Sequence, residues 1–247
     1  MKKVLFFNRG FFSISETFIY RQVMALEGVF DISLLAFRFE NREQFALSTT
    51  RKFLVPARKS LPDRFLTAAL RRMGFRYSFT RRIDRDVSRI ISSAGIELIY
   101  AHYGWSALLI FPLAKRLNIP LIVSFHGKDA SASLRKSGYR EHLPELFGYC
   151  KAIVVSSEHM TDTLALSKWM QKVRVIRYGV DTNEFKPKGS ISSDKVRLVH
   201  SGRVVPKKGV PDLMRVFCRL SKVYSDLELH ILGEGSELGL CRQIAID

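Results

Sequence analysis

Short apolar runs alternate with longer amphipathic stretches along most of this 247-residue chain, and nothing else in it constrains the fold as strongly. The runs are Lys3–Phe7, Phe30–Phe37, Glu97–Ala101, Leu121–Phe125, Ala152–Ser156 and Val173–Tyr178. They are too continuously apolar to keep one face in water. They therefore predict strands buried on both sides, the condition of a parallel sheet covered by crossover helices. Between the first two runs Ile19, Val23 and Leu26 repeat at i, i+4 and i+7, with Ser13 and Glu16 spaced for a capping box. Trp105–Leu117 and His159–Ser167 read as further crossover helices. The sequence thus predicts an α/β chain on a parallel sheet, with strand ends at Asn8, His102, His126 and Ser156 along one edge.

After Tyr178 the pattern is interrupted by GVDTNEFKPKGSISSDK, a linker by its Gly, Pro, Ser and charge. Tyr178-Gly179-Val180-Asp181 reads as the hinge turn into a second domain. A new βαβ start follows: strand Val196–His200, a helix with Leu213, Val216, Phe217, Leu220 and Tyr224 at helical spacing, and strand Leu227–Leu232. The expected division is residues 1–185 as a complete Rossmann-like domain and 186–247 as the opening of a second. The few elements after residue 186 cannot bury both faces of a parallel sheet.

Charge narrows the partners. Forty Lys and Arg against 23 Asp and Glu give a net charge of +17, which points to nucleic acid, acidic membrane lipid or a phosphorylated small molecule. Half of the excess lies in residues 51–89. There Arg82, Arg85 and Arg89 line one helix face, and Ile83, Val87, Ile90 and Ile91 another. That face is either solvated on a helix docked to the sheet or a basic patch facing an anionic membrane. An RNA-binding aromatic motif of the RNP type is not visible, which argues against nucleic acid. Cys150, Cys218 and Cys241 form no CxxC pair, so neither a disulfide framework nor a zinc site is predicted, and a reducing cytoplasm fits. The apolar run from Val4 to Phe7 is too short for a signal-peptide core. Ala107–Ala114 contains Pro112 and falls well below the ~20 residues of a membrane span. Asp84-Arg85-Asp86 spells a DxD metal motif but lies on an Arg-rich helix, and no metal site is predicted.

The richest chemistry lies in Ser201-Gly202-Arg203-Val204-Val205-Pro206-Lys207-Lys208-Gly209, between a strand and a helix. Glycines permit close backbone approach, a helix N-terminus offers N–H groups, and Arg203 and Lys208 add charge, so the loop is either a phosphate cradle or an ordinary βα turn with solvated cations. Gly233-x-Gly235 after a strand is a weak dinucleotide signal, because Gly239 comes one residue too late for GxGxxG.

SGRVVPKKGVPDLMRVF followed by LELHILGEGSEL resembles the donor-site start of the retaining GT-B glycosyltransferases of family 4. SISETFI at 13–19, AHYGWSALLIFPLAKRLNIPLIVSFHGKD at 101–129, IVVSS at 153–157 and VRVIRYGVDTNEFKP at 173–187 are similar to its bacterial branch, which builds exopolysaccharide, colanic-acid-like and lipopolysaccharide sugars. The resemblance implies a GT-B fold and transfer of a hexose from a nucleotide diphosphate sugar to a lipid-linked or glycan acceptor. It implies retention of configuration, no cofactor or metal, and a peripheral place at the inner face of the cell membrane. Arg203 and Lys208 would hold the donor pyrophosphate, Gly202 and Gly209 would shape the loop, and Gly233-Glu234-Gly235 would sit beside the nucleotide. His126 would contact the transferred sugar, with Gly127 and Asp129 completing its loop, while Ser15, Glu16, Thr17 and His102 would face the acceptor side. Ser-Glu-Thr stands where the family has a glycine-rich loop. The family's Glu-x7-Glu element, which contacts donor sugar and ribose, is absent. The expectation is therefore a truncated donor domain and poor transfer by this chain alone. A non-catalytic basic module that binds anionic lipid or nucleic acid is the alternative.

Overall fold

The computed structural model describes residues 1–48, 50–55, 79–136, 138–187, 189 and 194–246; most of the basic segment at 51–89 lies outside these described residues. The chain divides into two compact units, Met1–Gly179 and Val180–Asp247.

The first unit is a seven-stranded sheet of β1 (Lys3–Phe7), β2 (Asp31–Ala36), β3 (Arg51–Leu54), β4 (Leu98–His102), β5 (Leu121–Ser124), β6 (Ala152–Val155) and β7 (Val173–Val175). Its order is β3-β2-β1-β4-β5-β6-β7, and every pairing is parallel. The continuous apolar runs are explained by their two destinations. In β1, Leu5 and Phe7 enter one core with Val87, Ile91 and Ile110, whereas Val4 and Phe6 enter a second with Ile19 and Val23. Helices cover both faces: α1 (Thr17–Leu26) on the second core, and α2 (Arg81–Ala94), α3 (Gly104–Arg116) and α4 (Tyr139–Tyr149) on the first. A short α5 (His159–Thr163) and a 3-10 turn at Ser167–Lys172 replace the single helix expected over His159–Ser167.

Two local expectations fail, and one strand goes unread, each for a physical reason. The capping box does not form. Ser13 Oγ lies 3.2 Å from Ser15 Oγ, the chain enters α1 through a 3-10 turn at Ile14–Glu16, and Glu16 points its carboxylate to Tyr103 instead. Strand β3 reads as polar because it is a four-residue edge strand whose side chains are mostly exposed. The run Val173–Tyr178 pairs only over β7, since its next residues lie exposed at the other edge.

Helix α2 docks through Ile83, Val87, Ile91 and Ala94, and leaves Arg82, Arg85 and Arg89 exposed. Thr80 Oγ1 caps its start by accepting from Ile83 N, and Gly95 ends it at φ 64°, a left-handed conformation suited to glycine. Asp84 pairs with Arg116 and Asp86 with Arg89, so both carboxylates of the DxD match face guanidinium groups.

The second unit pairs β8 (Val196–Ser201) with β9 (Leu227–Leu232) in parallel and adds α6 (Val210–Leu220) and α7 (Leu238–Ile246). Its core is small: Val204, Val210, Met214 and Cys241. Among the described residues no helix is long and apolar enough to cross a membrane.

Candidate functional site

In the first unit the carboxyl edge of the sheet gathers the polar side chains. Strand β1 runs into Asn8, whose amide is fixed on both sides. Its Oδ1 accepts from Ser106 Oγ (3.1 Å) and Arg9 N (2.8 Å), and its Nδ2 donates to Gly10 O (2.7 Å). Strand β4 ends on His102, and Tyr103 then turns the chain into α3 at φ 66°. That is a strained conformation for a bulky L residue, costing about 1–3 kcal/mol, and such strain collects at functional positions. Tyr103 OH donates to Glu16 Oε1 (2.9 Å), which ties α3 to the start of α1.

Asp129 joins the β4 and β5 loops. Its Oδ2 accepts from His126 N (2.9 Å), and its Oδ1 from Gly104 N (3.1 Å) and Tyr139 OH (2.9 Å). The residue is completely buried, and burial pushes its carboxyl up to about 6 although three donors oppose the shift. Gly104 is required beside it: a Cβ there would lie 2.0 Å from Tyr139 Oη.

His102 and His126 form a stacked pair, with His102 Nδ1 3.3 Å from His126 Nε2. The other nitrogen of His126, Nδ1, is 2.5 Å from Tyr178 OH. Burial holds the His126 imidazole down to about 4 and His102 well below the usual range, so both rings are neutral at pH 7. Phe18 and Tyr103 pack on His126 with ring centroids 4.9 and 4.5 Å away. Two tautomeric arrangements satisfy the chain from Tyr178 through His126 to His102, related by moving one proton across each ring. In either, His102 Nε2 has no hydrogen-bond partner among the described residues.

A cavity of about 330 Å³ opens at this edge. Asn8, Ser106 and Asp129 supply its buried polar surface, Glu16, Tyr103 and Trp105 its sides, and the exposed cations Arg9, Lys128 and Lys136 its mouth. Of the residues expected on the acceptor side, Glu16 and Asp129 line this cavity. His102 and His126 pair with each other instead, and Ser15, Thr17 and Gly127 are exposed and outside the lining. Tyr178, read from sequence as a hinge residue, is a partner of His126.

In the second unit the loops after β8 and β9 are stitched together. Gly202 N donates to Leu232 O (3.0 Å), Val204 N to Glu234 O (2.8 Å) and Glu237 N to Val204 O (3.1 Å). The approach is too close for side chains: a Cβ on Gly233 would lie 1.8 Å from Gly202 O, and one on Gly235 2.1 Å from Val204 O. The turn Pro206–Lys208 then leads to Gly209 at φ 64°, which opens α6. Buried Val204 and Val210 anchor the loop on either side, while Arg203 and Lys208 stand exposed with no carboxylate partner among the described residues. The structure therefore brings Gly202, Arg203, Lys208, Gly209, Gly233, Glu234 and Gly235 to one end of the β8–β9 pair, where bare backbone and two cations can receive phosphate.

Residues 15–184 match the family model described as Glycosyltransferase Family 4. An uncharacterized glycosyltransferase of Bacillus subtilis, YqgM, is 31% identical over 157 residues, which are 60% of this chain and 43% of that protein. Among solved structures, HepE of Anabaena in complex with UDP aligns with a TM-score of 0.72 at 14% identity, over 100% of this chain and 65% of its own. Sucrose-phosphate synthase of Thermosynechococcus elongatus aligns at 0.68 and 13% identity, over 99% of this chain and 66% of its own. At such identities the structures show a shared fold, the GT-B α/β architecture.

Proposed function

Because the chain belongs to glycosyltransferase family 4, we propose that it moves a hexose from a nucleoside diphosphate sugar to a lipid-linked or glycan acceptor in envelope polysaccharide assembly, with retention of configuration. The observation that carries this reading is the stitched glycine loop at the end of β8 with Arg203 and Lys208, which have no carboxylate partner among the described residues. As the bond from the anomeric carbon to the β-phosphate breaks, its electron pair leaves with the diphosphate. The acceptor oxygen bonds to that carbon, and the acceptor proton passes to the departing phosphate. Arg203 and Lys208 stabilise the charge that accumulates there, and they do so without a metal or resident cofactor. His126 is neutral, and its two ring nitrogens are engaged by His102 and Tyr178, so in this arrangement it neither acts as an acid at pH 7 nor has a nitrogen left for a sugar hydroxyl. The excess of cations, including Arg82, Arg85 and Arg89, suits a peripheral position on the anionic inner face of a membrane.

HepE of Anabaena is seen in complex with UDP, which makes UDP the first donor fragment to test. Calorimetry of the chain with UDP should give saturable binding that Arg203→Gln and Lys208→Gln each weaken about tenfold, that chelator leaves unchanged, and that GDP and ADP do not match. The alternative, a basic module for anionic lipid or nucleic acid, requires the opposite. All three nucleotides would then bind alike and weaken together as salt rises.

A further inference from the structure

We propose that the cavity at the ends of β1 and β4 receives an anionic acceptor, a sugar bearing a phosphate or diphosphate, with the phosphate on Arg9, Lys128 and Lys136. The inference rests on the reading that Met1–Gly179 takes the acceptor, and it names the chemical class. The charge balance of the lining is the first argument. Arg9, Lys128 and Lys136 are exposed at the mouth and have no ion-pair partner among the described residues, whereas the fourth cation, Arg38, is engaged by Glu40 (2.6 Å). Neither carboxylate of the lining is ion-paired to them, although the Asp129 charge is felt by Lys128, and two carboxylates against three cations leave the lining net positive. Asp129 spends both oxygens on Gly104, His126 and Tyr139, and Glu16 accepts from Tyr103.

The second argument separates this cavity from the generally basic surface. Its inner side is built and buried: Asn8 is 4% exposed, Ser106 1% and Asp129 0%, and the first two are bonded to each other. A preformed polar surface of that kind orients hydroxyl groups, and Trp105 beside it supplies apolar area for a sugar ring. Lys136 Nζ lies 5.4 Å from the centre of the Trp105 ring, so sugar and phosphate contacts fall within one small ligand of each other. A neutral glycan would leave the excess positive charge at the mouth without a counterpart. A phosphorylated sugar uses both halves of the cavity.

The experiment is calorimetric titration of the full chain at physiological ionic strength with glucose, glucose 1-phosphate and farnesyl diphosphate. Both phosphorylated probes should bind at least tenfold more tightly than glucose. Lys128→Gln combined with Lys136→Gln should remove most of that advantage, while Arg219→Gln, an exposed position on α6, should leave it unchanged. Tighter binding of farnesyl diphosphate than of glucose 1-phosphate assigns the phosphate to a lipid carrier, and the reverse order to a free sugar phosphate. Equal binding of glucose and glucose 1-phosphate, or an advantage that survives the double lysine variant, overturns the inference. Loss of UDP binding with intact glucose 1-phosphate binding would sink the donor reading alone, and the converse result would sink this one alone.

Discussion

His126 and Asp129 share the loop after β5, and burial moves their protonation in opposite senses. His126 is held down to about 4 from 6.5, so between those values the folded chain carries fewer protons there than the unfolded one, and its contribution to stability is lost as pH falls through that window. Asp129 is raised from 3.8 to about 6, so the folded chain carries more protons there, and its contribution is lost as pH rises from 3.8 to 6. Each effect amounts to about 3 kcal/mol across its window. The stability gap between the unaltered chain and His126→Gln, followed by urea unfolding, should therefore shrink on acidification from pH 6.5 to 4. The gap to Asp129→Asn should be widest near pH 4 and narrow towards pH 7. Two gaps that stay flat with pH would show that neither group is perturbed by the fold. The positions of Asn8, His102 and His126 were legible because a parallel sheet collects side chains where its strands end. Tyr178 was not, because it reaches His126 across 52 residues through a contact no local pattern encodes. Nor were Lys128 and Lys136, two cations among forty Lys and Arg.

Helix α2 turns its apolar side into the first core, so Ile83, Val87 and Ile91 are unavailable to a bilayer, and any membrane contact must be electrostatic. Arg82, Arg85 and Arg89 remain exposed on the outer side, with Asp86 only 4.0 Å from Arg89 as a weak competitor. At about 1 kcal/mol per cation near an anionic surface, changing all three to Gln should weaken sedimentation with acidic vesicles roughly 100-fold, and raised salt should do the same to the unaltered chain. Unchanged binding would reduce the helix to a solvated face of the sheet. The same element shows what sequence could tell. Its period was legible because one side is wholly buried, as were the runs Lys3–Phe7 and Leu227–Leu232, which coincide with β1 and β9. Helix α4 was overlooked although Tyr139, Leu143, Leu146 and Phe147 are buried at helical spacing, because Pro144 and Gly148 interrupt its pattern. Strand β3 is held by backbone pairing to β2, by the Arg51–Asp31 ion pair and by Phe53 against the first core, so its outward positions can carry the charged Arg51 and Lys52.

Across the whole molecule the two units differ in how they keep water from their sheets. In the first, β1, β4 and β5 carry residues such as Leu5, Ile99 and Val123 at 0% exposure, with helices on both faces. In the second, Val196 is 51% exposed, Val199 62% and Leu232 60%, and among the described residues of its core only Val204 and Val210 are at 0% exposure. Local stability follows buried apolar area and backbone access, so the two sheets should open with different free energies. In amide hydrogen exchange, β1, β4 and β5 should exchange at the rate of global unfolding of their unit, and β8 and β9 more than 100-fold faster, a gap of about 3 kcal/mol. The donor reading adds a directional consequence. A nucleotide held by the loops after β8 and β9 binds only the folded form of that unit, so UDP at a hundred times its dissociation constant should slow exchange there by about 2.7 kcal/mol. Slowing at Gly202–Val204 and Gly233–Gly235 with β1 unchanged is the expected pattern. Equal protection of both sheets without UDP would contradict the burial argument, and slowing confined to β1 and β4 would place the nucleotide in the first unit instead.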